Sequence, residues 1–299
     1  MHEDEAERAC AALKNLSESL YVSTPDGVAH ISLRGEVLGH AQLAGAGALC
    51  VGEKSLFCAD DSGVIWRLSR KSLLPESVMG GGPGICDLCL SRNESRLYAL
   101  LGEADSVLMI DGQTGRPLLV NRCGCNPSQI LLCGDLLAAA GGESGKVHLY
   151  DADTLVCRNE ISMPGPVCAV ALAGSRLYAL CLTPQLSTLL VAMEGERKQL
   201  LNLEGMPGAL LIHGKYLYAA TQGLFHVFDL ESLRLMKKIP AAGRPSQMVS
   251  AGQCVIAYDP LSQRVYAMRE GESWKMICAQ ANAMCISGEE LTGGSSQMK

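Results

Sequence analysis

One phrase of about forty residues returns along the whole chain, and it limits the fold more than any other feature. In its clearest copy a short apolar run, Leu97-Tyr98-Ala99-Leu100, leads through a polar break to Val107-Leu108-Met109-Ile110-Asp111. Thr114-Gly115 mark a turn, another apolar run follows, and Asn126-Pro127 introduce a fourth run, Ile130-Leu131-Leu132-Cys133. With the first apolar residue as marker, the copies begin at Leu20, Leu56, Leu97, Leu137, Leu177, Leu217 and Val255, spaced 36, 41, 40, 40, 40 and 38 residues apart. Each run is short and bounded by Gly, Pro, Asp or Ser, which is the pattern of strands and too brief for helices. Four strands per repeat make one propeller blade, so seven repeats predict an all-β, seven-bladed β-propeller of four-stranded antiparallel blades.

The phase of the repeat predicts how the ring closes. The chain enters its first repeat at the second strand, Leu20 to Ser23, and continues through Val28-Ala29-His30-Ile31-Ser32-Leu33. It finishes after Ala283-Met284-Cys285-Ile286-Ser287, which reads as an innermost strand without its three followers. Pairing this C-terminal strand with the N-terminal blade removes the open edges of the sheet. The propeller is therefore assigned to residues 20–290. Residues 1–19 are expected to form a short acidic helix, with Ala6, Ala9, Cys10, Leu13 and Leu16 at helical spacing and Glu3, Asp4, Glu5 and Glu7 in its first turn. Residues 291–299, containing Gly293-Gly294-Ser295-Ser296, read as a flexible tail.

Apolar residues make up 48% of the 299 and charged residues 19%, enough for a large core and unlike a disordered chain. With aromatics at only 4%, Leu, Val, Ala, Met and Cys must fill the interior. A net charge of −6 leaves no basic footprint for nucleic acid and has the wrong sign for an anionic membrane. No window approaches the roughly eighteen apolar residues of a membrane span. The start, Met1-His2-Glu3-Asp4-Glu5, is acidic where a secretory signal is basic. Fourteen cysteines without such a signal suit a reducing cytoplasm, where thiols act as small buried hydrophobes. The alternative is a disulfide framework, but the chain is not short and its cysteines are not regularly paired. A cytoplasmic monomer is the expectation.

The sequence "Pro, apolar strand, Leu-Tyr-Ala, break, Val-x-x-Ile-Asp, Thr-Gly" resembles the YVTN family of β-propeller repeats. The resemblance covers about Leu20 to Glu290 and is clearest from Arg96 to Val170 and from Gly205 to Met248. It implies the same seven-bladed fold, which that family shares with lactonase-like propellers. The family's Asn after the second strand is missing, as in Ala99-Leu100-Leu101-Gly102. WD40 repeats fit less well, since no Trp-Asp pair exists and the one Gly-His is Gly39-His40.

Chemistry-bearing motifs are few. Cys86-Asp87-Leu88-Cys89 has redox or metal spacing, but on an innermost strand a separation of three sends the thiols to opposite faces, so buried packing is expected. Cys123-Gly124-Cys125 lies in a loop and can aim both thiols one way, yet two thiolates do not close a metal site and no second pair joins them. Of His2, His30, His40, His148, His213 and His226, none forms a close pair, and His30, His148 and His226 occupy equivalent third-strand places. There is no Gly-x-Ser-x-Gly elbow. Gly80-Gly81-Gly82-Pro83-Gly84 precedes a strand, not a helix, so it makes no phosphate cradle. No cofactor and no metal site are expected; stacking on Trp66 or Trp274 is the slender basis for a quinone or haem reading.

One pattern remains. Loops from second to third strands and connections between blades share one face of a propeller. The first set carries Asp26, Asp60, Asp61, Glu103, Asp105, Glu143 and Asp259, with Lys146 nearby; the second adds Arg122, Asn126 and Arg244, leading to Gln129 and Gln247. From this rim we take Asp60, Asp61, Asp105, Arg122, Asn126, Gln129, Glu143, Arg244, Gln247 and Asp259 as a candidate binding face. The alternative is that Asp, Gly and Ser simply make good turns. The reading is a non-enzymatic interaction module that binds a protein or peptide partner or a small polar ligand. The alternative is a lactonase- or hydrolase-type enzyme, metal-assisted, which needs the rim acids to converge on a histidine.

Overall fold

The computed structural model describes residues 19–241, 243–269, 275–281 and 283–286. They form seven four-stranded antiparallel sheets, with no helix among the described residues. Blade 1 combines the C-terminal strand Ala283–Ile286 with Ser19–Thr24, Gly27–Ser32 and Val37–Gln42. The other six blades run in chain order, from Ala46–Val51 through Lys275–Ala279. Their inner strands touch one another in a closed ring, so they line a central channel. The ring closes as the phase of the repeat requires, with Leu20 opposite Ile286 and Ser23 opposite Ala283. The helix expected at the N-terminus and the C-terminal tail lie outside the described residues, although Ser19 already belongs to the second strand of blade 1.

The repeated phrase has a physical reading, residue by residue. The marker residue of every copy is buried: Leu20, Leu56, Leu97, Leu137, Leu177, Leu217 and Val255 are all at most 3% exposed. Blades stack face to face, so a second strand is covered on both sides and reads as a continuous apolar run. Burying each such side chain contributes about 1.5–3 kcal/mol. The Tyr that follows latches one blade to the next. The hydroxyls of Tyr21, Tyr98 and Tyr178 donate to the carbonyls of Arg70, Ala152 and Leu230, each in the next blade, at 2.8, 2.8 and 3.1 Å. The Ala two residues after the marker (Ala99, Ala139, Ala179, Ala219) is at 0% exposure, leaving no space for a larger side chain between converging sheets.

The "Ile-Asp, Thr-Gly" half of the phrase is a turn. Asp111 Oδ1 accepts from the backbone of Gln113 and Thr114 and from the Thr114 hydroxyl, and Asp151 repeats this with Asp153 and Thr154. The turn ends in a left-handed residue. Gly115 meets that demand without strain at φ 70°, whereas Leu73, Leu155 and Leu233 adopt it and bury their side chains. Outer strands face solvent: Pro117–Arg122 leaves Leu118, Leu119 and Val120 exposed.

Candidate functional site on the loop face

Both loop sets do meet on one face, and five blades pin their exits there in the same way. The residue before the third strand offers its carbonyl to the residue just after the outer strand. Gly63 accepts from Gly81, Asp105 from Cys123, Gly145 from Met163, Gly223 from Ala241 and Gln263 from Ala281, at 2.7–3.1 Å. These bonds place the candidate residues on adjacent loops around the channel.

The candidates then divide by what they already hold. Asp60 ends the second strand of blade 2; its carboxylate accepts from the Ser62 and Val64 backbones, the Ser62 hydroxyl and Trp66 Nε1. Partial burial pushes its pKa up, but these hydrogen bonds outweigh burial and leave it below its ordinary value. Asp105 accepts three successive backbone N–H groups, from Gly124, Cys125 and Asn126, at 2.8–3.1 Å. Asp259 is buried at 4% exposure and holds the Leu261 backbone and the Ser262 hydroxyl. Asp61, Glu143, Arg122 and Asn126 are exposed, with Arg122 Nε 3.9 Å from Asp105. Arg244, expected in an exposed loop, is instead half-buried; it lies close enough to Cys168 to oppose the upward push of burial on that thiol.

Gln129 and Gln247 do a different job. Each sits on an inner strand, and its Oε1 accepts the backbone N–H of the next blade's inner strand: Val170 for Gln129 at 2.9 Å, Met284 for Gln247 at 3.1 Å. An innermost strand is an edge, so its outward N–H groups need an acceptor from elsewhere. Asp87 holds the equivalent place in blade 3 and was passed over in the sequence, where Cys86 and Cys89 drew the reading. Its Oδ2 accepts from Ile130 of blade 4 and its Oδ1 from its own neighbour Leu88, both at 2.9 Å. Ala48, at the same place in blade 2, has no acceptor for Leu88, and the second carboxylate oxygen supplies one. The signal lay in register: Gln129 and Gln247 each stand two residues after a proline, Pro127 and Pro245, and Asp87, like Gln129, is third in its inner strand. Asp87 is half-buried at the channel wall, and desolvation pushes its pKa up to about 7 against the pull of the two N–H groups.

The third-strand histidines serve their own blades. His30 stacks on Tyr21 at 4.5 Å, His148 Nδ1 lies 3.3 Å from the Tyr150 hydroxyl, and His226 Nε2 lies 3.3 Å from the Thr221 hydroxyl. Burial lowers the pKa of all three. Cys86 departs from the buried packing expected of it: it is exposed on the inner strand, because a bulge between Ile85 and Asp87 shifts the register there. Cys123 and Cys125, by contrast, are buried at 4% and 1% exposure. Among the described residues the rim acids do not converge on a histidine; the one metal-sized group is Asp105, Cys123 and Cys125. An open groove of about 460 Å³ at blade 1 is lined by Pro25, Asp26, His40, Gln42, Leu43 and Ala44, and Asp26 is the one rim acid in it.

No family model and no curated protein sequence matches the chain. Solved structures do. A functionally unknown protein from Desulfotomaculum acetoxidans is similar with a TM-score of 0.76 at 13% identity, over 90% of this chain and 98% of that one. Kuenenia stuttgartiensis hydrazine synthase gives 0.71 at 14% identity, over 84% and 92%. The computationally designed Ika8 protein gives 0.66 at 10%, over 88% and 85%. At such identities the likeness is one of fold.

Proposed function

We propose that the protein is a YVTN-type propeller that works as a non-enzymatic interaction module, with the loop face as its docking surface. The observation that carries this reading is the division of the rim acids. Asp60, Asp105 and Asp259 are engaged in holding loops, and the groove that sets a rim acid with a histidine, Asp26 with His40, holds no second acid. That arrangement suits a rigid surface better than a hydrolytic centre, which needs a base and a nucleophile within reach. The same loop face presents Leu186 at 68% and Leu261 at 78% exposure, and on other blades the exposed Asp61 and Glu143. Apolar anchors and acidic groups on one face fit a basic segment of a protein partner.

The test compares wild type with the variant D61N/E143Q/L261S as bait in the native host, followed by affinity measurement with the purified partner. The variant should bind at least about tenfold more weakly, roughly 1.4 kcal/mol, and wild-type binding should weaken with salt. Equal recovery of the same proteins by both baits would remove the loop face from consideration.

A further inference from the structure

The connection from blade 3 to blade 4 breaks the molecule's own repeat rule at several points. The residue before the third strand is Gly63, Gly145 and Gly223 in blades 2, 4 and 6, each at positive φ; in blades 3 and 7 it is Asp105, at φ 47°, and Gln263, at φ 53°. The residue two before the next inner strand is Gly165 and Gly205 in the following two connections; here it is Cys125. Cys123 completes the change. Neither thiol is needed to pack a generic exit, since the other blades manage with Gly, Ala and Met. Within one molecule the repeats act as controls for one another, so two buried thiols beside a carboxylate in one connection point to a local task.

We propose that Asp105, Cys123 and Cys125 form a binding site for one thiophilic divalent cation of the zinc class. Their two sulfurs and a carboxylate oxygen already lie within 4.8 Å of one another. Tetrahedral bonding at about 2.3 Å to sulfur and about 2.0–2.2 Å to oxygen sets donors roughly 3.5–3.8 Å apart, so the group closes by about 1.3 Å at most. Gly124, at φ 70°, turns the chain so that both flanking thiols face inward. The Asp105 carboxylate has four lone-pair positions. Cys125 and Asn126 take two on Oδ1 and Gly124 takes one on Oδ2, while Arg122 stands beyond hydrogen-bond range at 3.9 Å. One position on Oδ2 remains for a metal. The Asp105 side chain is 22% exposed, so solvent reaches the fourth coordination place from its side.

The donor set suits such an ion: binding displaces the protons of both thiols. Two thiolates and a carboxylate bring three negative charges against the ion's two positive ones, and Arg122 stands at the edge of the site. Soft sulfur donors select zinc-class ions over magnesium or calcium.

The experiment uses reduced full-length protein titrated with Co²⁺ without oxygen. One equivalent should produce thiolate-to-cobalt charge-transfer absorption and the visible bands of a tetrahedral ion, bleached by one equivalent of Zn²⁺. Cys123→Ser and Cys125→Ser should each weaken binding by roughly 100-fold or more, at or beyond the upper end for outer-shell losses, and Asp105→Asn by about tenfold. Cys86→Ser, on an exposed thiol elsewhere, should change nothing. The X-ray absorption spectrum of zinc-loaded wild type, which needs no variant to fold, should show two sulfur neighbours and the rest light atoms. The proposal is overturned by no charge-transfer band at millimolar cobalt, by a band that survives loss of both thiols, by four sulfur neighbours or none, or by recovery of Cys123 and Cys125 as a disulfide under the same reducing conditions.

Discussion

Two neighbouring connections do the same work by different means. Between blades 4 and 5 the carbonyl of Gly145 holds Met163, and glycine adopts its φ of 63° at no steric cost. Between blades 3 and 4 the carbonyl of Asp105 holds Cys123 at φ 47°, a conformation that disfavours a side chain. Asp105 offsets that strain because its carboxylate gathers the three N–H groups that follow. A backbone demand can thus be met by permission, through the absence of Cβ, or by compensation, through hydrogen bonds. Only the second leaves a polar group at the surface.

Four measurements sharpen or break this contrast. Both connections hang from buried second strands, so Leu177→Ala in blade 5 sets the scale; chemical denaturation should show a loss of about 2–5 kcal/mol. A loss below 1 kcal/mol would contradict its burial at 3% exposure. Next, Asp105→Ala keeps the strain and strands three donors, so it should cost about 1–3 kcal/mol. Asp105→Gly should recover about 1 kcal/mol of that by relieving φ alone. If Gly and Ala behave alike, compensation is the wrong account.

The same two blades differ again at the channel wall, where a carboxylate in blade 3 and an amide in blade 4 make equivalent clamps. Asp87 has a folded-state pKa near 7, above the unfolded value of about 3.9. The native state therefore holds an extra proton between pH 4 and 7, and the contribution of Asp87 to stability falls as pH rises through that window, by at most about 1.4 kcal/mol per pH unit. The buried histidines, with lowered pKa values, act in the opposite sense. The difference between wild type and Asp87→Asn isolates the slope, and a flat difference from pH 4 to 7 would show the clamp ionised throughout. The smallest effect belongs to Arg122→Ala, within about 0.5 kcal/mol, because that side chain is 84% exposed. Arg244→Ala should exceed it, as Arg244 is half-buried.

The architecture was legible because it is written in a period. An apolar triplet such as Leu97-Tyr98-Ala99 announces a covered strand at every copy, and the unfinished phrase at Ala283 announces ring closure. The candidate face was legible only as a set of loops. Nothing in the letters makes Asp60, which is half-buried, differ from Asp259, which is buried, since both end a second strand and cap the turn after it. Asp87 was hidden for a similar reason: its partner Ile130 lies 43 residues away, and the bond exists only where two inner strands meet.

The amino-acid order by itself determined seven blades, their strand order and the closure, because periodic burial and turn residues act over a few neighbours and repeat. The tertiary structure alone decided which polar groups face one another across blades. It joined Asp105 to Cys123 and Cys125, Asp87 to Ile130, and Gln247 to Met284. Hydrogen bonding and donor geometry depend on distances of a few ångströms between segments far apart in the chain, and no local pattern records them.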